Sequence, residues 1–117
     1  MRAFRHRYTG AVVTTSDNPK LKPWRQQISE TILYDRPQQF AAGVPVKIAL
    51  DFFFARPKSA KKRRYMTVKP DYDKLLRAVM DALKGVVLHD DAQVIEGFVR
   101  KHYGEPERVE IQIEEAQ

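Results

Sequence analysis

Apolar and polar residues alternate without a break from Val46 to Phe54, with Val46, Ile48, Leu50, Phe52 and Phe54 on one face and Lys47, Ala49 and Asp51 between them. A period of two predicts a β-strand with one face buried. Near the end of the chain, 94–103 and 108–114 flank the turn-forming sequence Gly104-Glu105-Pro106-Glu107, and Val109, Ile111 and Ile113 alternate again. A C-terminal β-hairpin is expected there. Two segments follow the helical period. Trp24, Ile28 and Ile32 recur every fourth residue behind Pro23, which predicts a helix over 23–34. Tyr72, Leu75, Leu76, Val79 and Leu83 form one stripe that starts after Pro70 and stops at Gly85, a natural helix terminator. Residues 57–69 show no sustained period and read as a mobile basic loop. In 1–20, RHRYTGAVVTT fits either a short hairpin about Gly10 or a strand leading into a Ser16-Asp17-Asn18-Pro19 turn. The pattern predicts a small α+β domain over residues 1–117, with a mixed or antiparallel sheet and two helices packed on it.

Composition narrows the classes. At 117 residues the chain suits one domain with its own core. It has no cysteine, so disulfides and thiolate-bound zinc are excluded and a reducing cytoplasm is the default setting. No segment is long and apolar enough to span a bilayer, and no membrane partner is expected. The formal net charge of +6 points to a polyanion, because Lys and Arg that neutralise phosphates release condensed counterions. Arg56, Lys58, Lys61, Lys62, Arg63, Arg64 and Lys69 crowd the approach to the second helix, forming a candidate surface for a phosphate backbone.

Against that basic background, KPDYDKLLRAVMDALKGVVLHDDAQV places Asp71, Asp73, Asp90 and Asp91 at the two ends of one helix-and-turn unit. Hard divalent cations such as Mg²⁺ take oxygen ligands, commonly one or two carboxylates with water and substrate phosphate. Residues two apart on a helix diverge, so Asp71 and Asp73 converge only if Asp71 lies outside it. Pro70 and the N-cap preference of Asp support an extended Asp71 at the entry and Asp73 in the first turn. The structural alternative is that Asp71 and Asp73 merely cap the helix, Asp90 and Asp91 form a solvated turn, and Arg77 pairs with Asp73 across one turn.

The combination of KPDYD, the LLRAVMDAL helix and DDAQV resembles the signature of the RusA-type Holliday-junction resolvases, over about residues 4–114. The resemblance implies a homodimeric, Mg²⁺- or Mn²⁺-dependent endonuclease that makes paired nicks in four-way DNA junctions. It implies that Asp71, Asp73 and Asp91 are the essential metal-site carboxylates, with Asp90 contributing beside them. Arg77 stands where the family usually has a catalytically important lysine, and Lys74 where it commonly has Asn. A planar guanidinium is not equivalent to a compact ammonium, so Arg77 keeps the charge but changes its geometry. Family members usually begin with a strand and a Pro-rich turn ahead of the part matching FRHRYTGAVVTT. This chain is therefore expected to start inside the domain, through a misassigned start codon or with a reduced sheet and an exposed edge. A phage or prophage origin would suit the family.

Metal-assisted phosphodiester hydrolysis needs no protein nucleophile. Arg77 is the candidate for stabilising transition-state charge, His89 a candidate general acid or base, and Tyr65 or Trp24 candidates for stacking on unpaired bases. A C₂ dimer would match the two-fold symmetry of a junction. Two other classes compete: a non-catalytic basic nucleic-acid-binding module, which would bind DNA without cutting it, and a small protein docking an acidic partner, which would not prefer branched over linear DNA.

Overall fold

The computed structural model describes residues 6–13, 24–60 and 62–116. In chain order the elements are β1 (Arg7–Val13), α1 (Trp24–Asp35), β2 (Val46–Phe54), α2 (Tyr72–Leu83), β3 (Val94–Tyr103) and β4 (Arg108–Glu115), with single 3-10 turns at Lys58–Ala60 and Asp91–Gln93. The four strands form one mixed sheet in the order β1-β4-β2-β3. This is the expected α+β class. Residues 7–13 run as one strand through Gly10, while the Ser16-Asp17-Asn18-Pro19 turn lies outside the described residues.

Burial along β2 alternates as the hydrophobic pattern requires, with Val46, Ile48, Leu50, Phe52 and Phe54 all buried. Both helices cover that face. Ile28 and Ile32 of α1 and Leu75, Val79, Ala82 and Leu83 of α2 share one core with it, and Trp24 meets Phe52 and Phe54 edge-on at 6.1 Å. Trp24 is thus a packing residue. Fully burying side chains of this size stabilises the fold by roughly 1.5–3 kcal/mol each, so the alternation alone accounts for much of the sheet-to-helix adhesion. At β1, Tyr8 and Val12 point inward, and the Tyr8 hydroxyl donates to Asp35 Oδ2 at 2.7 Å, tying the edge strand to the end of α1.

The expected C-terminal hairpin is not formed. β3 and β4 are both present but β2 lies between them, parallel to β3 and antiparallel to β4. Alternation reports which face a strand buries and is silent about its neighbours. A strand as apolar as β2 is best placed centrally, with both edges paired. Residues 104–107 therefore cross the end of β2: Gly104 N–H donates to Phe54 O at 2.9 Å, and the Glu107 carboxylate accepts from Ala55 N–H at 3.1 Å. The parallel β2/β3 pair needs a crossover connection, which α2 supplies. Where β3 joins β2 the register slips after Val46↔Val94, leaving Ile95 without a partner and 62% exposed.

Candidate active site

α2 starts and stops as its sequence dictates. Asp71 is the N-cap in extended conformation (φ −74°, ψ 147°) and Asp73 sits in the first turn. At the other end Gly85 takes φ +84°, the left-handed conformation that favours glycine after a helix, and the N–H groups of Val86, Val87 and Leu88 all return to Leu83 O.

The helix does not use its acids as the capping alternative requires. Asp71 makes no side-chain capping bond. Neither Asp73, Lys74 nor Arg77 forms an ion pair or side-chain hydrogen bond with a described residue, so the Asp73–Arg77 pair of the capping alternative is absent there. Two exposed carboxylates and two exposed cations therefore stand together at the start of α2, without side-chain partners among the described residues.

Asp90 and Asp91 behave differently from one another. Asp90 caps the 3-10 turn at 91–93: its Oδ1 accepts from Ala92 N–H at 3.1 Å in a capping box closed by Gln93. Asp91 does no such work. Its Oδ1 is buried and has no hydrogen-bond partner, the sole such side-chain atom among the described residues. Buried polar atoms are nearly always paired, so an orphaned carboxylate oxygen calls for a partner from outside the chain, a water or an ion.

Gln93 organises this turn, a role the sequence reading missed although the Asp-x-x-Gln spacing signals it. Its Oε1 accepts from His89 and Asp90 N–H, and its Nε2 donates to Ala41 O (2.9 Å) and Val44 O (3.0 Å). The turn is thereby fixed beside the start of β2. At the opposite end of the domain, Lys101 Nζ donates to Val68 O (2.7 Å) and Pro70 O (2.8 Å), fixing the entry to α2 beside the second half of β3.

These two anchors have a geometric consequence. α2 has 12 residues and is therefore roughly 18 Å long, and it stands between Asp71 and Asp73 at one end and Asp91 at the other. No single ion spans that distance. Consistently, among the described residues no three His, Asp or Glu side chains gather closely enough to hold a metal. Within one chain the crossover helix carries the DDAQV segment to the start of β3, the end of the sheet away from Asp71 and Asp73. Between the two ends runs an open groove lined by Tyr72, Leu76 and Met80 of α2 and by Ile95 and Val99 of β3, with Asp91 on its wall. Tyr72 is 53% exposed there.

The basic segment is folded and divides its cations. The Arg56 guanidinium stacks on Tyr103 at 4.3 Å and donates to Ala60 O (3.0 Å) and to Arg63 O, while Arg63 donates to the Tyr103 hydroxyl at 2.8 Å. Both are engaged internally, which periodicity has no means of revealing. Lys58, Lys62, Arg64 and Lys69 are exposed; Lys61 lies outside the described residues. His89 is exposed, with only its backbone engaged by Gln93. No helix among the described residues is long and apolar enough to cross a membrane.

With this arrangement established, comparison with known proteins gives a consistent answer. The family model described as Endodeoxyribonuclease RusA matches residues 2–114. The chain is 33% identical over 110 residues to the protein YqaN of Bacillus subtilis (strain 168), covering 85% of this chain and 77% of that one. It is 28% identical over 86 residues to a protein of Lactococcus phage r1t named crossover junction endodeoxyribonuclease rusA, covering 72% and 66% respectively. The chain belongs to the RusA endodeoxyribonuclease family.

Proposed function

We propose that this protein is a metal-dependent endonuclease that resolves four-way DNA junctions, acting as a C₂ homodimer whose two active sites are each shared between the copies. The observation that carries the proposal is the orphaned Oδ1 of Asp91, stranded an α2 length away from the uncommitted Asp71 and Asp73. Two copies packed groove to groove, with their α2 helices antiparallel about a two-fold axis, bring the helix start of one against the helix end of the other. Asp71 and Asp73 of one copy then meet Asp91 of the second. The same packing buries Tyr72, Ile95 and the apolar flank of α2, which a single chain leaves open to water. It also repeats the site twice, as two scissile strands require.

The donor set suits a hard cation: carboxylate oxygens only, with room for water and a DNA phosphate, as Mg²⁺ or Mn²⁺ prefers. Asp71, Asp73 and Asp91 would hold it, and Asp90, with one oxygen occupied by capping, sits beside them. When bound, the metal would supply an activated water and neutralise the phosphoryl oxygens. Arg77 and Lys74, without a partner among the described residues, lie on the helix start and offer positive charge to the phosphate. Lys58, Lys62, Arg64 and Lys69 extend that field along the backbone, while Arg56 and Arg63 hold their segment in shape.

A labelled synthetic four-way junction, incubated with protein in Mg²⁺, Mn²⁺ or EDTA, tests the activity. Paired nicking that EDTA abolishes is expected, and Asp71→Asn or Asp91→Asn alone should each be inactive. Mixing the two inactive variants tests the sharing. A mixed dimer has one site carrying both substitutions and one site carrying neither, so single-strand nicking returns. No recovery on mixing would place all three acids in one chain, and nicking in EDTA would remove the metal.

A further inference from the structure

We infer that Tyr65 is the residue that stacks on an unpaired base at the junction crossover, held out for that purpose by the folded basic segment. The inference rests on the nuclease reading above, and it concerns substrate distortion rather than hydrolysis.

Tyr65 is 66% exposed, an unfavourable setting for a large aromatic ring unless the ring has a partner elsewhere. Its exposure is imposed by its surroundings. The next residue, Met66, is 8% exposed and belongs to the core, so the chain is rooted immediately beside Tyr65. Thr67 N–H bonds back to Tyr65 O at 3.0 Å, a tight turn that fixes the Tyr65 backbone. On the N-terminal side Arg56 and Arg63 pin the segment to Tyr103, and on the C-terminal side Lys101 pins Val68 and Pro70. The ring is thus presented by a short stretch anchored on both flanks.

Its chemical setting is that of a nucleic-acid contact. Arg64 lies over the ring at 5.4 Å, and Lys62 and Lys69 are exposed on the same segment. A cation beside an aromatic face can hold a phosphate while the ring takes the attached base. Tyr65 also precedes Asp71 by only a short connection, so a base stacked on it belongs to a nucleotide close to the phosphate held by the carboxylates. Tyr34 is more exposed still, at 78%, but it sits at the end of α1, whose last turn carries no basic residue. A four-way junction differs from linear duplex in having bases at the crossover that are easily unstacked. A projecting aromatic therefore discriminates between the two, whereas phosphate contacts alone do not.

The test uses the full-length protein carrying Asp71→Asn, in EDTA, so that binding is read without nicking. Affinity for a four-way junction and for linear duplex of equal length is compared for the Tyr65 form, Tyr65→Phe and Tyr65→Ala. Permanganate, which oxidises unstacked thymines, is applied to junctions with thymine at the crossover. The junction-to-duplex affinity ratio is expected to fall roughly thirtyfold in Tyr65→Ala, the middle of the range for a base–aromatic stack, and to be restored by Tyr65→Phe. Crossover thymines should be reactive with Tyr and Phe and protected with Ala. An unchanged ratio and permanganate pattern in Tyr65→Ala overturns the inference. So does a shift from dimer to monomer in sedimentation, which would assign the ring to the contact between copies. Wild-type protein that binds junctions this way yet nicks none would instead remove the nuclease reading and leave the stacking intact.

Discussion

Replacing Asp91 by alanine should make the protein more stable while destroying its activity, and the neighbouring Asp90→Ala should do the opposite to stability. The two acids are adjacent and both carry charge, so surface electrostatics alone predicts similar effects. Their hydrogen bonding separates them. Asp90 Oδ1 accepts a capping bond from Ala92 N–H, and losing such a cap costs about 1 kcal/mol. Asp91 Oδ1 is buried with no partner, a condition that costs roughly 1–3 kcal/mol per group. The residue as a whole is only partly buried, so its other oxygen retains some hydration and the lower end of that range applies. Truncation should therefore add about 1 kcal/mol, partly offset by lost contacts of the removed atoms. For a domain of this size that corresponds to a rise of roughly 4 °C in Tm for Asp91→Ala and a similar fall for Asp90→Ala. Thermal unfolding followed by circular dichroism, in EDTA, measures both. Such a gain on truncation is the trade-off expected of a residue kept for a ligand rather than for the fold. If Asp91→Ala unfolds at or below the wild-type temperature, the oxygen is already satisfied in the free protein and has no need of a ligand.

Three further outcomes are expected. Gln93→Leu should lower stability by roughly 2–4 kcal/mol in urea titration, because two carbonyls and two N–H groups lose their partner at once; a loss under 1 kcal/mol would mean the turn holds itself. Burial, with help from the Asp35 hydrogen bond and charge, pushes the Tyr8 hydroxyl well above its ordinary value of 10.0. The folded state therefore favours the protonated phenol, and the stability this adds is whole below pH 10 and is lost as pH rises further; Tm measured from pH 8 to 11 should fall more steeply for wild type than for Tyr8→Phe. Replacing Lys62, Arg64 and Lys69 by Ala should reduce the salt dependence of DNA binding by nearly one phosphate contact each without moving Tm, whereas Arg56→Ala should lower Tm through lost anchoring.

Much of this architecture was legible in the chain because local physics dictates it. The alternation of β2 marks its bounds, and the stripe between Pro70 and Gly85 marks α2, since one face of each must leave water. The extended Asp71 at the helix entry followed from Pro70 and from the divergence of residues two apart. Strand order did not follow, because Val109, Ile111 and Ile113 face the core equally well beside β3 or beside β2. The distance between Asp91 and Asp73 depends in turn on that order, through the crossover that α2 must make. The roles of Arg56, Lys101 and Gln93 were hidden for another reason: each is a polar side chain serving backbone groups far away in sequence, and no periodicity marks such a contact.

The position of β4 bears on when this molecule becomes a folded object at all. β4 follows every other strand in the chain, yet it fills an inner place in the sheet and pairs β1 on one edge and β2 on the other. Until Arg108–Glu115 arrives, β1 has no neighbour among the described strands and the most apolar strand has an open edge. Assembly is consequently non-local and delayed, with the first and last strands joined in one step. A chain interrupted before Arg108 keeps its helix-start carboxylates and can still pair β2 with β3, but it lacks the strand that joins β1 to the rest of the sheet.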